Sequence, residues 1–153
     1  MSILAIDPGN TQSAYVYCND NLTPLEFGKE DNNKLLTFVH LFPADILVIE
    51  KIASYGMAVG AEVFDTCIWT GRFQQLWELQ HEKNRTEFIF RREVKLNLCG
   101  SMKAKDGNIR QALIDRFGVV GTKKEPGWFY GFKADIWAAY AVAVTYRDKH
   151  QPK

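Results

Sequence analysis

Two apolar runs of the sequence each end in a carboxylate, and this pattern is the first sign of chemistry. Ile3 to Ile6 is followed by Asp7, and Ile46 to Ile49 is followed by Glu50. Short apolar runs of this kind predict buried strands. If the strands are neighbours, the two anions repel each other by about 4 kcal/mol at an effective dielectric constant of 20, unless a cation or proton joins them. Alternatively, Asp7 merely caps the turn at Pro8-Gly9.

Two further aspartates stand at the starts of predicted helices. Asp135 precedes a run rich in alanine and valine, and Asp106 lies just before a short helical pattern. Either residue taken alone is better explained as a helix N-terminal residue. Taken together, four carboxylates predict a magnesium site, because Mg²⁺ takes oxygen ligands and keeps waters and substrate phosphates. Two such ions about 4 Å apart can hydrolyse a phosphodiester.

Length and composition predict one globular domain over residues 1–153, since the chain is 46% hydrophobic and 24% charged. Cys18, Cys67 and Cys99 form no CxxC pair, which argues against a disulfide framework and a zinc ribbon. No apolar run reaches the roughly 18 residues of a membrane span, and no basic signal-peptide start is present. We therefore expect a cytoplasmic protein that does not contact a membrane.

The elements that must position the acids follow from the periodicity of the apolar residues. Strands are predicted at residues 3–6, 13–18, 22–27, 46–49 and 86–92, and helices at 31–42, 59–82, 108–117 and 134–147. The first three strands form an antiparallel meander, and the later strands alternate with helices. This order predicts an α/β domain whose mixed sheet is covered by helices on both faces.

The long helix at 59–82 has two apolar stripes. The expected buried face consists of five residues, Val63, Phe64, Cys67, Ile68 and Leu79. A second stripe, Trp69, Phe73 and Trp77, has i, i+4 spacing and is interpreted either as core or as the contact surface of a dimer.

Basic and aromatic residues surround the acids in the sequence. The predicted DNA-binding cations are Arg91, Arg92, Lys95, Lys103, Lys105 and Arg110, together with Lys123, Lys124 and Lys133 around the loop at 118–131. These residues could equally form a solvated basic surface. Trp128, Phe129 and Tyr130 are consecutive in the same loop. At least one is predicted to stack on an unpaired base; the alternative is that they cover the core.

Four segments of the chain, taken in their order along the sequence, resemble the RuvC-type Holliday junction resolvases of the ribonuclease H-like superfamily, especially their small phage-borne relatives. ILAIDPGNTQSAY is similar to the first strand and hairpin of that family, and ILVIEKIASYGMAVGAEVF to the strand with the catalytic glutamate and the following helix. MKAKDGNIRQAL resembles the segment before a short helix, and KADIWAAYAVAV resembles the last helix. The resemblance spans nearly the whole chain.

The resemblance implies a ribonuclease H-like fold with a five-stranded mixed sheet, and a homodimer that cuts branched DNA, above all four-way junctions. It also implies hydrolysis by a metal-activated water with two Mg²⁺ or Mn²⁺ ions, leaving 5′-phosphate and 3′-hydroxyl ends. It assigns Asp7, Glu50 and Asp135 to the metal site. Phe132 stands where RuvC-type enzymes carry a further ligand, and Asp106 stands where bacterial enzymes often have lysine. We hypothesise that Asp106 supplies the fourth carboxylate.

Other functions are compatible with the sequence. DPGNT also resembles the phosphate-binding turn of actin-like sugar and pantothenate kinases, although those folds need two domains. A junction-binding module without catalysis would not require Asp7, Glu50 and Asp135 to be intact. A ribonuclease H or a less selective debranching endonuclease would use the same metal chemistry on a different substrate geometry.

Overall fold

A five-stranded mixed sheet in the order β3-β2-β1-β4-β5 forms the centre of the protein. The structure, a computed structural model, describes residues 1–151. Its strands are β1 (Ile3–Asp7), β2 (Gln12–Cys18), β3 (Pro24–Asp31), β4 (Ile46–Lys51) and β5 (Thr86–Phe90). The helices are α1 (Asn32–Phe38), α2 (Ala61–Gln80), α3 (Arg91–Cys99), α4 (Asp106–Phe117) and α5 (Ile136–His150), and a 3-10 turn covers Val39–Leu41. The expected mixed sheet is confirmed.

Strand pairing brings the two carboxylate-ending runs together. β1 is antiparallel to β2 and parallel to β4, and Ile6 of β1 pairs with Ile49 of β4. The carboxyl ends of parallel neighbours meet at one edge of a sheet. Asp7 and Glu50 therefore stand side by side at that edge.

Helices cover both faces of the sheet, as the sequence predicts. On one face, α3, α4 and α5 enclose a core that includes Ala5, Val48 and Tyr140. On the other face, α1, the 3-10 turn and α2 enclose a second core that includes Leu35 and Trp77. Within residues 1–151, no helix combines the length and apolarity that crossing a membrane requires.

The buried stripe of α2 is the aromatic one, so the predicted buried face is wrong. Phe73 and Trp77 are fully enclosed, and the Trp77 indole donates a hydrogen bond to the Arg85 carbonyl at 3.1 Å. In contrast, Phe64 is 62% exposed and Ile68 is 54% exposed. Of the other residues expected on the buried face, Cys67 and Leu79 are also exposed and Val63 is half-buried. Both stripes are apolar, and the stripe with the larger rings removes more area from water when it is buried.

The predicted strand at 86–92 is shorter than expected, because a helix begins at Arg91. The Phe90 amide donates to Glu93 Oε2 at 2.7 Å, which satisfies a free amide at the start of α3. Gly100, with φ of 68°, ends that helix in the left-handed conformation that glycine adopts without steric cost. Arg91 thus lies at the junction of β5 and α3, on the same sheet edge as the two carboxylates. The helix α3 is absent from the sequence-based prediction.

Candidate metal centre

Asp7 and Glu50 project from the same face of the sheet, toward α5. Ala5 and Val48 point into the core under α5, and side chains two residues further along a strand point the same way. The carboxyl groups of Asp7 and Glu50 are close enough for the charge of Glu50 to raise the pKa of Asp7. The predicted pair of strand-end carboxylates therefore meets in the structure.

The environment of this pair disfavours two negative charges. Burial, followed by the nearby charge of Glu50, raises the pKa of Asp7 to about 9, and Asp135 adds to the increase. Glu50 Oε1 is buried and has no hydrogen-bond partner among the described residues. Such a pair keeps a proton unless a cation neutralises it.

Asp135 is brought to this edge by the start of α5. Ala134 has a φ of 48°, a left-handed turn that precedes the cap residue Asp135. The Asp135 carboxylate forms an ion pair with Lys29 on β3, with Nζ and Oδ2 2.7 Å apart. Lys29 pairs with Ala14, which in turn pairs with Asp7, so all three stand in one row across the sheet. A lysine of the chain thus neutralises the third acid of the site.

Asp106 joins the site through Arg91. One Nη atom of Arg91 contacts Asp106 Oδ1, and the other lies 3.6 Å from Glu50 Oε1. Asp106 itself is the first residue of α4, and its side chain is 87% exposed. It lines a shallow cavity of about 220 Å³ together with Asp135 and Arg110. The role of Asp106 as the fourth metal ligand stays a prediction.

The acids suit a divalent cation chemically, although they do not converge on one point. Within residues 1–151, no three Asp, Glu, His or Cys side chains are close enough to hold an ion in this arrangement. Lys29 and Arg91 explain this spacing, because each draws one aspartate toward itself. The candidate ligands are all carboxylate oxygens, and Glu50 Oε1 takes part in no hydrogen bond and lies 3.6 Å from Arg91, which fits Mg²⁺ or Mn²⁺.

Lys29 is a site residue that sequence reasoning missed. It lies 106 positions from Asp135 in the chain. No local motif marks it, since only the pairing of β3 with β2 places it beside the acids. The role of Arg91 as the partner of Glu50 and Asp106 was equally absent from the prediction, which assigned it to DNA.

The predicted DNA-binding cations lie in three places. Arg91, Arg92 and Lys95 of α3 line a cavity of about 220 Å³ together with Tyr55 and Met102. A second group is exposed before and within α4 and consists of Lys103, Lys105 and Arg110. The third group surrounds the loop at 118–131: Lys133 is exposed near Asp135 in the sequence, and an exposed turn closed by the Gly121–Pro126 bridge carries Lys123 and Lys124. Their contacts with DNA stay predictions.

The loop aromatics mostly cover the core, which corrects the prediction that Phe129 binds DNA. Phe129 is 0% exposed. Trp128 stacks on Phe117 at 5.4 Å between ring centroids, and its indole donates to the Tyr140 hydroxyl at 3.1 Å. Apolar burial fixes these two rings, so only Tyr130 is exposed enough to meet a base. Phe132, one turn before Asp135, also packs in the core.

No protein-family model and no curated protein sequence matches the chain. In structure, 26 chains match. Thermus thermophilus RuvC superimposes with a TM-score of 0.69 and 15% identity over 97% of this chain and 96% of that chain. The same protein in complex with a Holliday junction substrate superimposes with a TM-score of 0.68 and 16% identity, over 95% of this chain and 92% of that chain. The Fowlpox virus resolvase in its complex with Holliday junction DNA is more distant, with a TM-score of 0.46 and 11% identity over 99% and 100%.

The fold is therefore the ribonuclease H-like fold, as the sequence resemblance implies. Its particular form is that of RuvC, since the match spans nearly the full length of both chains. At 15% identity the likeness establishes the architecture and not the activity. The activity depends on the residues of the site and their chemistry.

Proposed function

We propose that this chain is a metal-dependent endonuclease that cuts Holliday junctions and related branched DNA by phosphodiester hydrolysis. The observation that carries the proposal is the largely buried pair Asp7 and Glu50 at the edge of a RuvC-like sheet, with Asp135 at the start of α5 beside it. An acid pair of this kind has no structural benefit, because an apolar pair would remove the repulsion.

Divalent ions, Mg²⁺ or Mn²⁺ and in our proposal two of them, would supply an activated water and neutralise the leaving oxygen. The protein supplies the ligands and their rigidity. Asp7 and Glu50 are fixed by paired strands, and Asp135 would become available as a ligand once Lys29 releases it. Hydrolysis adds water across the P–O bond and leaves a 5′-phosphate and a 3′-hydroxyl end.

Branched DNA is the proposed substrate because of the fold and the distribution of charge. RuvC of T. thermophilus, which has this architecture, is described in complex with a Holliday junction substrate. In this chain, the cations of α3 line a cavity next to the acids, where a polyanion would approach the site. Tyr55 in the same cavity offers an aromatic surface to an unpaired base.

The first experiment is a cleavage assay on labelled DNA. The substrates are a synthetic four-way junction, a fork, a linear duplex of the same sequence and an RNA–DNA hybrid, each with Mg²⁺, with Mn²⁺ and with chelator. The proposal expects paired, metal-dependent nicks in the junction. Cleavage of forks at an equal rate would indicate a debranching nuclease, and cleavage of the hybrid alone would indicate a ribonuclease H. Tight junction binding without cleavage of any substrate would indicate a junction-binding module without catalytic activity.

We further propose that the protein acts as a homodimer, because two opposing strands of a junction must be cut. The support in the structure is the outward face of α2, where Phe64 and Ile68 are adjacent and exposed. Exposed apolar side chains on one helix face are typical of a subunit contact. The aromatic stripe of α2 is buried in the core, so we assign the dimer contact to this exposed face instead.

Phe64→Glu combined with Ile68→Glu is expected to yield a monomer, because four desolvated glutamates would meet in a symmetric interface. Light scattering after size-exclusion chromatography measures the mass. Leu41→Glu, an equally apolar and exposed position outside α2, is the matched control and should leave the mass unchanged. A wild-type protein that is monomeric with and without junction DNA would contradict the dimer.

A further inference from the structure

The acids of the metal centre are already neutralised in part by two cations of the chain itself. Lys29 holds Asp135, and Arg91 connects Glu50 with Asp106. The two cations differ in their surroundings. Lys29 reaches one carboxylate from the edge strand, whereas Arg91 lies between two carboxylates that belong to different elements.

Arg91 also stands between two cavities of opposite character. On one side, it lines a narrow cavity of about 50 Å³ with Asp106 and Asp135. On the other side, it lines the cavity of about 220 Å³ that contains Arg92, Lys95 and Tyr55. The first cavity attracts cations and the second attracts anions. A rotation of one flexible side chain would carry the guanidinium from one cavity to the other.

We propose that Arg91 exchanges partners when the site is loaded. Without metal, its guanidinium occupies the cation position next to Glu50. When a divalent ion binds, the guanidinium leaves Glu50 and binds a phosphate of the DNA strand in the α3 cavity. Asp106 is then a positioning residue for Arg91 and not a metal ligand. This inference rests on the proposed function, since it names the residue that joins metal binding to substrate binding.

Physical chemistry favours this exchange over a fixed ion pair. A divalent ion at Glu50 repels the guanidinium, and an incoming phosphate offers two oxygens in the fork geometry that arginine matches. Asp106 is largely exposed and tethers the guanidinium from outside the carboxylate pair. A ligand of Mg²⁺ would instead be expected to face Asp7 and Glu50.

The test compares Mg²⁺ binding and DNA cleavage in Arg91→Gln. Isothermal titration calorimetry without DNA should show Mg²⁺ binding tightened by roughly tenfold, because a competing charge a few ångströms from Glu50 is removed from a partly exposed site. At saturating Mg²⁺, the same variant should lose about tenfold or more in kcat/KM for a four-way junction, because a charged hydrogen bond to phosphate is lost. If Arg91 had only a structural role, its replacement would not increase the Mg²⁺ affinity while decreasing kcat/KM for the junction.

Two variants serve as matched controls. Arg92→Gln removes the same charge from the next residue, whose guanidinium lies over the Tyr55 ring at 5.2 Å, so Mg²⁺ affinity should stay near that of the wild type. Arg91→Lys keeps the charge and should keep the wild-type Mg²⁺ affinity with part of the cleavage. Arg91→Met provides a second neutral variant that retains the aliphatic stem, should Arg91→Gln fold poorly.

Unchanged or weaker Mg²⁺ binding by both neutral variants would overturn the inference. A wild-type protein that binds neither Mg²⁺ nor Mn²⁺ would instead contradict the proposed function, so the two failures are distinguishable. Asp106→Asn in the Arg91→Gln background completes the test. No further change in Mg²⁺ affinity is expected, whereas an additional loss of tenfold or more would make Asp106 a ligand and overturn its positioning role.

Discussion

Asp7→Asn should reduce cleavage of a four-way junction by about 10³-fold or more, which corresponds to the loss of several kcal/mol of metal-mediated charge stabilisation. The amide keeps the size of the carboxylate and its place beside Glu50 but removes the charge that would bind a divalent ion. Asp7 follows four buried residues of β1, so neighbouring residues cannot move in to replace it. The measurement is the single-turnover rate at saturating Mg²⁺.

Junction binding by Asp7→Asn should be as tight as that of the wild type, because removing a negative charge does not weaken contacts with phosphates. Asp115→Asn, which makes the same chemical change at an exposed position on α4, is the control and should retain full activity. Loss of binding together with cleavage would show that Asp7 supports the fold of the DNA surface. Normal cleavage would remove Asp7 from the metal centre.

The metal-free protein should lose stability as the pH rises, and Asp7→Asn should remove most of this loss. Burial and Glu50 raise the pKa of Asp7 from 3.8 to about 9. Between these values the folded state keeps a proton that the unfolded state has released. The folded state therefore binds more protons, and the free energy of unfolding falls with rising pH, by up to about 1.4 kcal/mol per pH unit for one proton. Below pH 4 the contribution of this group is constant.

Urea unfolding at pH 5, 6, 7 and 8 with chelator measures this effect as the difference between the wild type and Asp7→Asn. The variant should become progressively more stable relative to the wild type. Adding Mg²⁺ at 100 times its dissociation constant should raise the wild-type free energy of unfolding by about 2.7 kcal/mol and leave the variant nearly unchanged. A difference that stays constant with pH would mean that Asp7 and Glu50 do not share a proton.

The positions of the carboxylate pair were predictable from the sequence because they depend on local pattern. A continuous apolar run becomes a buried strand whatever its neighbours, and the residue that follows it stands at the edge of the sheet. Asp7 and Glu50 could thus be identified before their strands were known to be adjacent. The helical pattern after Ala134 likewise placed Asp135 at the start of a helix.

Periodicity alone could not decide which face of an element is covered. α2 carries two apolar stripes, and only the presence of the sheet and α1 determined that Phe73 and Trp77 are buried while Phe64 is exposed. The same holds for the loop aromatics. Phe129 fills a space between α4 and α5 that exists only after both helices have packed.

The sequence by itself determined that the sheet is mixed, most of the elements in their order along the chain and the acids at the ends of two strands, because these follow from residue type and spacing along the chain. Only the tertiary structure decided which cations meet those acids. Lys29 and Asp135 are 106 residues apart, and Arg91 reaches Glu50 and Asp106 from a third element. Such pairs depend on strand register and helix placement, which bring distant residues within a few ångströms and leave no trace in local sequence.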